Sequence, residues 1–100
     1  MRTLNHPQPA DFTLDAVLAA LADPVRREIV RCLHAASAEK ACGTFGLELS
    51  PSTLTHHFRV LREAGVITQR YQGTAILNAL RREDLEARFP GLLSAIIRAE

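Results

Sequence analysis

SPSTLTHHFRVLREAG, residues 50–65, describes a helix almost completely through its local chemistry. Ser50 suits an N-cap, because its hydroxyl can accept a hydrogen bond from a free amide of the first turn. Pro51 follows at the first helical position, where its missing N–H costs nothing. Gly65 closes the segment as a left-handed C-cap. Leu54, Phe58 and Leu61 recur at four- and three-residue steps and form one apolar stripe. The opposite face carries Ser52, Thr53, Thr55, His56, Arg59 and Arg62. Small hydroxyls near the start and guanidinium groups further along suit a helix that enters a DNA major groove end-on, with phosphates gripped at its edges. An ordinary solvated helix face would present a similar polar side, so the flanking segments have to decide.

Downstream, Val66, Ile67 and Thr68 are β-formers, and Arg70 and Tyr71 continue the run. Gln72, Gly73 and Thr74 supply a turn, and Ala75–Leu80 resumes an extended, apolar-rich stretch. A capped helix leading through Gly65 into a hairpin is the second half of a winged helix-turn-helix. Upstream, Phe45, Leu47 and Leu49 predict a short helix or turn that would be the positioning element of the pair. Thr13 can cap a helix running to about Ala22, and Asp23-Pro24 opens another reaching about Ala36, with Val25, Ile29, Leu33 and Ala36 on its apolar face. Residues 35–43 look like a connection. Asp84 can cap a turn of helix through Phe89, Pro90-Gly91 interrupt it, and an apolar strip of Leu92, Leu93, Ile96 and Ile97 follows. The expected fold is therefore mainly α with a β-hairpin wing: four helices, two strands and a closing helix over residues 13–100. Residues 1–12, with Pro7 and Pro9, read as an extended arm.

Two blocks resemble the ArsR/SmtB family of small winged-helix transcriptional repressors. LADPVRREIVRCL, residues 21–33, is similar to the family's second helix. STLTHHFRVLREAGVITQRYQG, residues 52–73, is similar to its recognition helix and wing, including the His-His pair and the Ala-Gly exit. The resemblance spans roughly residues 12–98. It implies a homodimer that binds a double-stranded operator palindrome and releases it when an inducer binds. It also implies a dimer seam built from the first and last helices, here Leu14, Val17, Leu18 and Leu21 with Leu92, Leu93, Ile96 and Ile97. Wing residues Arg70, Gln72 and Thr74 would touch the minor groove or backbone. His57, nearer the apolar stripe, reads as a packed or hydrogen-bonded support.

One hundred residues with 47% hydrophobic content make one domain whose modest core would gain from dimerisation. With no secretory segment and no apolar run near membrane-spanning length, the chain is expected to be cytoplasmic. A net charge of +1 is small for a DNA binder, but distribution matters more than total. Between Ser50 and Arg82 stand Arg59, Arg62, Arg70, Arg81 and Arg82 against Glu63 alone, so five minus one gives +4. Eleven of the twelve basic residues are Arg, which suits bidentate contacts to phosphate and guanine.

A sensor is hard to find. Metal-sensing relatives carry a Cys-Val-Cys motif on the third helix, or Asp and His pairs on the last. Here Glu39-Lys40-Ala41-Cys42 replaces the first, and residues 83–100 hold neither His nor Cys. Sulfide-sensing relatives pair a thiol on the second helix with one on the last, and only Cys32 of such a pair is present. Cys32 on an apolar face behaves as a small hydrophobe. Cys42 near a helix start would have a lowered pKa. A Cys32–Cys42 disulfide or shared thiophilic ion is the candidate sensor, and no cofactor or metal is assigned. No glycine-rich phosphate loop, catalytic carboxylate pair or nucleophile elbow is present, so an enzyme is not expected. Two alternatives stay open: a ligand-independent winged-helix repressor, and a winged-helix protein-interaction module without DNA binding.

Overall fold

Thr13 starts the first helix, α1 (Leu14–Leu21), as its chemistry predicts: its hydroxyl accepts the Ala16 amide at 3.1 Å. The computed structural model describes residues 4–36, 38–41 and 45–99. Asp23 caps α2 (Pro24–Ala36), its Oδ1 taking the amides of Val25 at 2.8 Å and Arg26 at 3.2 Å. A short strand β1 (Lys40–Ala41) comes next, then α3 (Pro51–Glu63), β2 (Ile67–Gln72), β3 (Ala75–Leu80), α4 (Arg82–Arg88) and α5 (Leu92–Arg98). The sheet is antiparallel in the order β1-β3-β2, with Lys40 opposite Asn78 and Gln69 opposite the same residue on the other side. Gly73 and Thr74 form the two-residue turn that joins β2 to β3.

The core lies where the helices meet the base of the hairpin. Val17, Ala20 and Leu21 of α1 pack with Ile29, Val30 and Leu33 of α2, Phe58 and Leu61 of α3, and Val66 and Ile67 at the hairpin's entry. Gly65 supplies the link between α3 and β2. At φ +88° its amide donates to the Arg62 carbonyl (3.0 Å), and Val66 donates to that of Leu61 (2.9 Å). This pair of bonds is a Schellman ending, with Leu61 and Val66 fully buried beside it. A side chain at residue 65 would also overlap the Phe12 ring, which is packed against that backbone.

Several expectations need correction. Residues 45–50 form bends rather than a positioning helix, because Gly46 sits at φ +69° and Phe45 is buried edge-on against Phe58, 5.2 Å between centroids. The connection over residues 35–43 contains β1, a third strand on the sheet. Helix α4 begins at Arg82 rather than after Asp84. Asp84 lies inside its first turn and accepts Arg81 Nε (3.1 Å) and Nη2 (3.0 Å). Residues 4–12 are not simply extended. Pro9–Asp11 make a 3-10 turn, Phe12 is buried, and Arg81 and Arg88 donate to the carbonyls of Pro7 (2.8 Å) and Phe12 (2.9 Å).

Candidate nucleic-acid interface

Helix α3 is anchored on one side and open on the other. Ser50 Oγ accepts the Thr53 amide at 3.3 Å, closing the expected N-cap. Phe58 and Leu61 are buried and Leu54 is half-buried, while Ser52, Thr53, Thr55, His56 and Arg59 are exposed. Three hydroxyls already have local partners: Ser52 Oγ lies 3.3 Å and Thr53 Oγ1 2.8 Å from Ser50 Oγ, and Thr55 Oγ1 donates to the Pro51 carbonyl at 2.8 Å. His57 is 9% exposed, and its Nδ1 accepts from Arg26 Nη1 at 3.1 Å. Arg26 also donates to the carbonyls of Ala20 (2.6 Å) and Ala19 (3.4 Å), so one guanidinium joins the end of α1 to α3. Opposite it, Asp23 is desolvated, which pushes its carboxyl up. The amides of Arg26 and Val25 and the charge of Arg26 outweigh this and hold its pKa below the usual value.

The arginines counted in the sequence are not equally available. Arg59 is exposed and makes no hydrogen bond or ion pair among the described residues. Arg62 does not share the open face. It is half-buried, and its Nη1 donates to Gln69 Oε1 on β2 at 2.8 Å. Arg70, on the outer face of β2, grips Glu39 with two bonds of 2.7 Å. Those bonds, ahead of a small opposing burial effect, hold the Glu39 carboxyl below its usual pKa. Arg81 is engaged with Asp84 and Pro7, and Arg82 reaches back to the last carbonyls of α2 and to His34 Nδ1 (2.6 Å). Gln72 and Thr74, at the wing tip, are exposed. The predicted residues left exposed are therefore Ser52, Thr53, Thr55, His56 and Arg59 on α3 and Gln72 and Thr74 on the hairpin, with Arg70 exposed but paired to Glu39.

The expected dimer seam divides the same way. Leu14 (46%) and Leu18 (43%) are exposed, but Val17, Leu21 and Leu93 belong to the protomer's own core, for one side of α1 must cover α2 and α5. Leu92, Ile96 and Ile97 are half-buried against that core. Cys32 is also partly buried, its Sγ donating to Glu28 Oε1 at 3.8 Å. Burial first, and then the Glu28 charge, push the thiol above its usual pKa, the reverse of what an activated thiolate needs. Cys42 lies outside the described residues. Among the described residues no three His, Cys, Asp or Glu stand together as a metal site.

Sequence reasoning missed two residues here. Gln69 and Asn78 are buried at 5% and 0% on the inner face of the hairpin, and Gln69 Nε2 donates to Asn78 Oδ1 at 2.8 Å. Their signal was the strand period: Gln69 shares its face with Ile67 and Tyr71, a polar residue at an inward position.

A capped, internally anchored helix that opens a polar face beside an antiparallel hairpin defines a winged helix-turn-helix. The helix-turn-helix domain family matches residues 21–70. The HTH-type transcriptional regulator YceK of Bacillus subtilis is 30% identical over 82 residues, covering 80% of this chain and 82% of that protein. A Halobacterium salinarum protein named as a candidate arsenical resistance operon repressor, ArsR, is 41% identical over 59 residues, 57% of this chain and 46% of that one. A solved structure described as a possible transcriptional regulator for arsenical resistance is 30% identical with a TM-score of 0.63, over 87% of this chain and 80% of that chain. This chain belongs to the ArsR family of winged helix-turn-helix transcriptional regulators.

Proposed function

We propose that two copies of this chain bind an operator palindrome and repress transcription from it, each placing the open face of α3 in a major groove. The exposure of Ser52, Thr53, Thr55, His56 and Arg59 on a helix otherwise locked to its core carries this reading. Residues near the start of the helix would meet base edges, Arg59 a phosphate or guanine, and Gln72 and Thr74 the backbone beside the groove. One recognition helix reads few base pairs, so specificity calls for a second copy about 34 Å away on the same side of the duplex. Leu14 and Leu18, exposed on α1, with Leu92, Ile96 and Ile97, would form the seam. Among the described residues no helix is long and apolar enough to cross a membrane. Such a repressor would work in the cytoplasm, beside its DNA.

The test is selection from a random duplex pool, followed by fluorescence titration of the enriched sequence. The expected result is enrichment of an inverted repeat whose half-sites are about one helical turn apart. No enrichment would mean a winged helix used only to bind proteins. Within the DNA-binding class, burial and the Glu28 charge, which raise the Cys32 pKa, favour a ligand-independent repressor that takes no signal at that residue. Titrating the complex with arsenite, zinc or a mild oxidant would then leave it intact.

A further inference from the structure

Arg62, half-buried, begins a line of polar side chains that crosses the whole sheet through the buried Gln69 and Asn78. Its Nη1 donates to Gln69 Oε1 (2.8 Å), Gln69 Nε2 donates to Asn78 Oδ1 (2.8 Å), and Asn78 Nδ2 donates to the Lys40 carbonyl (3.0 Å). The line starts on the last turn of α3, passes through β2 and β3, and ends on β1, next to the Glu39 that holds Arg70. We propose that Arg62, Gln69 and Asn78 are positioning residues that fix the tilt of the wing against the recognition helix. This rests on the DNA-binding reading above.

Three features carry it. The hairpin of β2 and β3 has few apolar contacts to hold its direction on the β2 side, where Ile67 at the base is the one buried apolar residue among the described residues. Buried side-chain amides accept and donate in fixed directions, so they specify one arrangement where apolar side chains would tolerate several. Finally, the guanidinium of Arg62 supplies a charged donor at the only place where the line touches α3, and hydrogen bonds of charged donors are the stronger kind. Arg62 therefore contributes to DNA binding through the wing and not through a phosphate.

Two measurements test this. In a fluorescence titration with the selected duplex, Arg62→Ala and Gln69→Leu should each weaken binding about tenfold, and together still about tenfold, because both cut the same line. The slope of log affinity against log salt should stay at its wild-type value in all three. Arg62→Lys, which keeps the charge but loses the fork and folds readily at a half-buried site, should be as weak as Arg62→Ala. Losses that multiply to about a hundredfold, or an Arg62→Ala slope smaller by about one with affinity restored in Arg62→Lys, would overturn it in favour of a phosphate contact. Independently of DNA, nitroxide labels at Thr55→Cys and Thr74→Cys, with Cys32 and Cys42 changed to Ser, report the distance from helix to wing tip. Arg62→Ala should broaden that distribution, and an unchanged one overturns the proposal. If the wild type enriches no duplex, the functional reading fails while the label distances still decide the role of the line.

Discussion

Arg59 and Arg62 stand three positions apart on one helix, and their surroundings assign them opposite tasks. Arg59 is free in water, so a phosphate or guanine can take it without first breaking anything. We expect Arg59→Ala to weaken operator binding and to reduce the salt slope by about one, as measured by fluorescence titration between low and physiological salt. Phe58 lies on the other side of the same helix at 1% exposure, with Phe45 against its edge. Phe58→Ala should cost about 3–5 kcal/mol in urea unfolding, and operator binding should fall with the folded population. The sequence told these residues apart only in part. Spacing separated Phe58 from Arg59, because an apolar stripe is visible in order alone. It could not separate Arg59 from Arg62, since a guanidinium's partner is chosen by what another element brings near it, in this case Gln69.

Among elements, the wing and the N-terminal arm carry the testable electrostatics. Glu39 neutralises Arg70 on the outer face of β2. Glu39→Gln removes the charge that holds that guanidinium, so operator affinity should rise and the salt slope steepen by about one, with thermal stability nearly unchanged for so exposed a pair. The arm has its own latch. His6 Nδ1 donates to the Leu4 carbonyl (2.9 Å), which leaves Nε2 to accept the Gln69 amide (2.9 Å) on the outer edge of β2. Only a neutral ring can do both. Burial, against the favourable Leu4 bond, and then the charges of Arg62 and Arg81 hold its pKa below 6.5. Glu63 borders the same hollow. Above 6.5 the ring is neutral whether the chain is folded or not, and the latch contributes in full. As pH falls below that, the unfolded chain takes up a proton that the docked ring resists, so this contribution drains away. Protection of the Gln69 amide from hydrogen exchange, corrected for intrinsic rate, should drop between pH 7.5 and 5.5, and His6→Ala should be low and flat throughout. Helix ends were the most legible parts of these elements: Thr13, Asp23, Ser50 and Gly65 all act where short-range chemistry puts them. The docked arm and strand β1 were not legible, because their bonds go to residues more than thirty positions away.

For the molecule as a whole, the proposed pairing of two copies can be tested at α1. Leu14 and Leu18 are exposed on α1, whereas Val17, directly before Leu18, is 1% exposed within the protomer. Leu18→Glu should therefore give a folded monomer in sedimentation equilibrium, with normal circular dichroism and weakened operator binding. Val17→Glu should instead unfold the protomer, as burying an unpaired carboxylate in this core would require. A wild type that is already monomeric at micromolar concentration would remove the seam. The apolar periodicity of residues 14–21 and 92–97 was plain in the sequence, but which half of each stripe serves the protomer depends on where α2 and α4 come to rest.

Of the five arginines between Ser50 and Arg82, four are engaged inside the folded chain, and Arg59 alone is free among them. Glu39 and Asp84 offset the charge of Arg70 and Arg81, while Arg62 and Arg82 bond neutral groups and keep theirs, so random duplex is attracted less strongly, and released sooner, than five unpaired guanidiniums would make it. Such a protein would scan a genome mainly by repeated collision from solution, with short residence on each wrong stretch and little one-dimensional sliding.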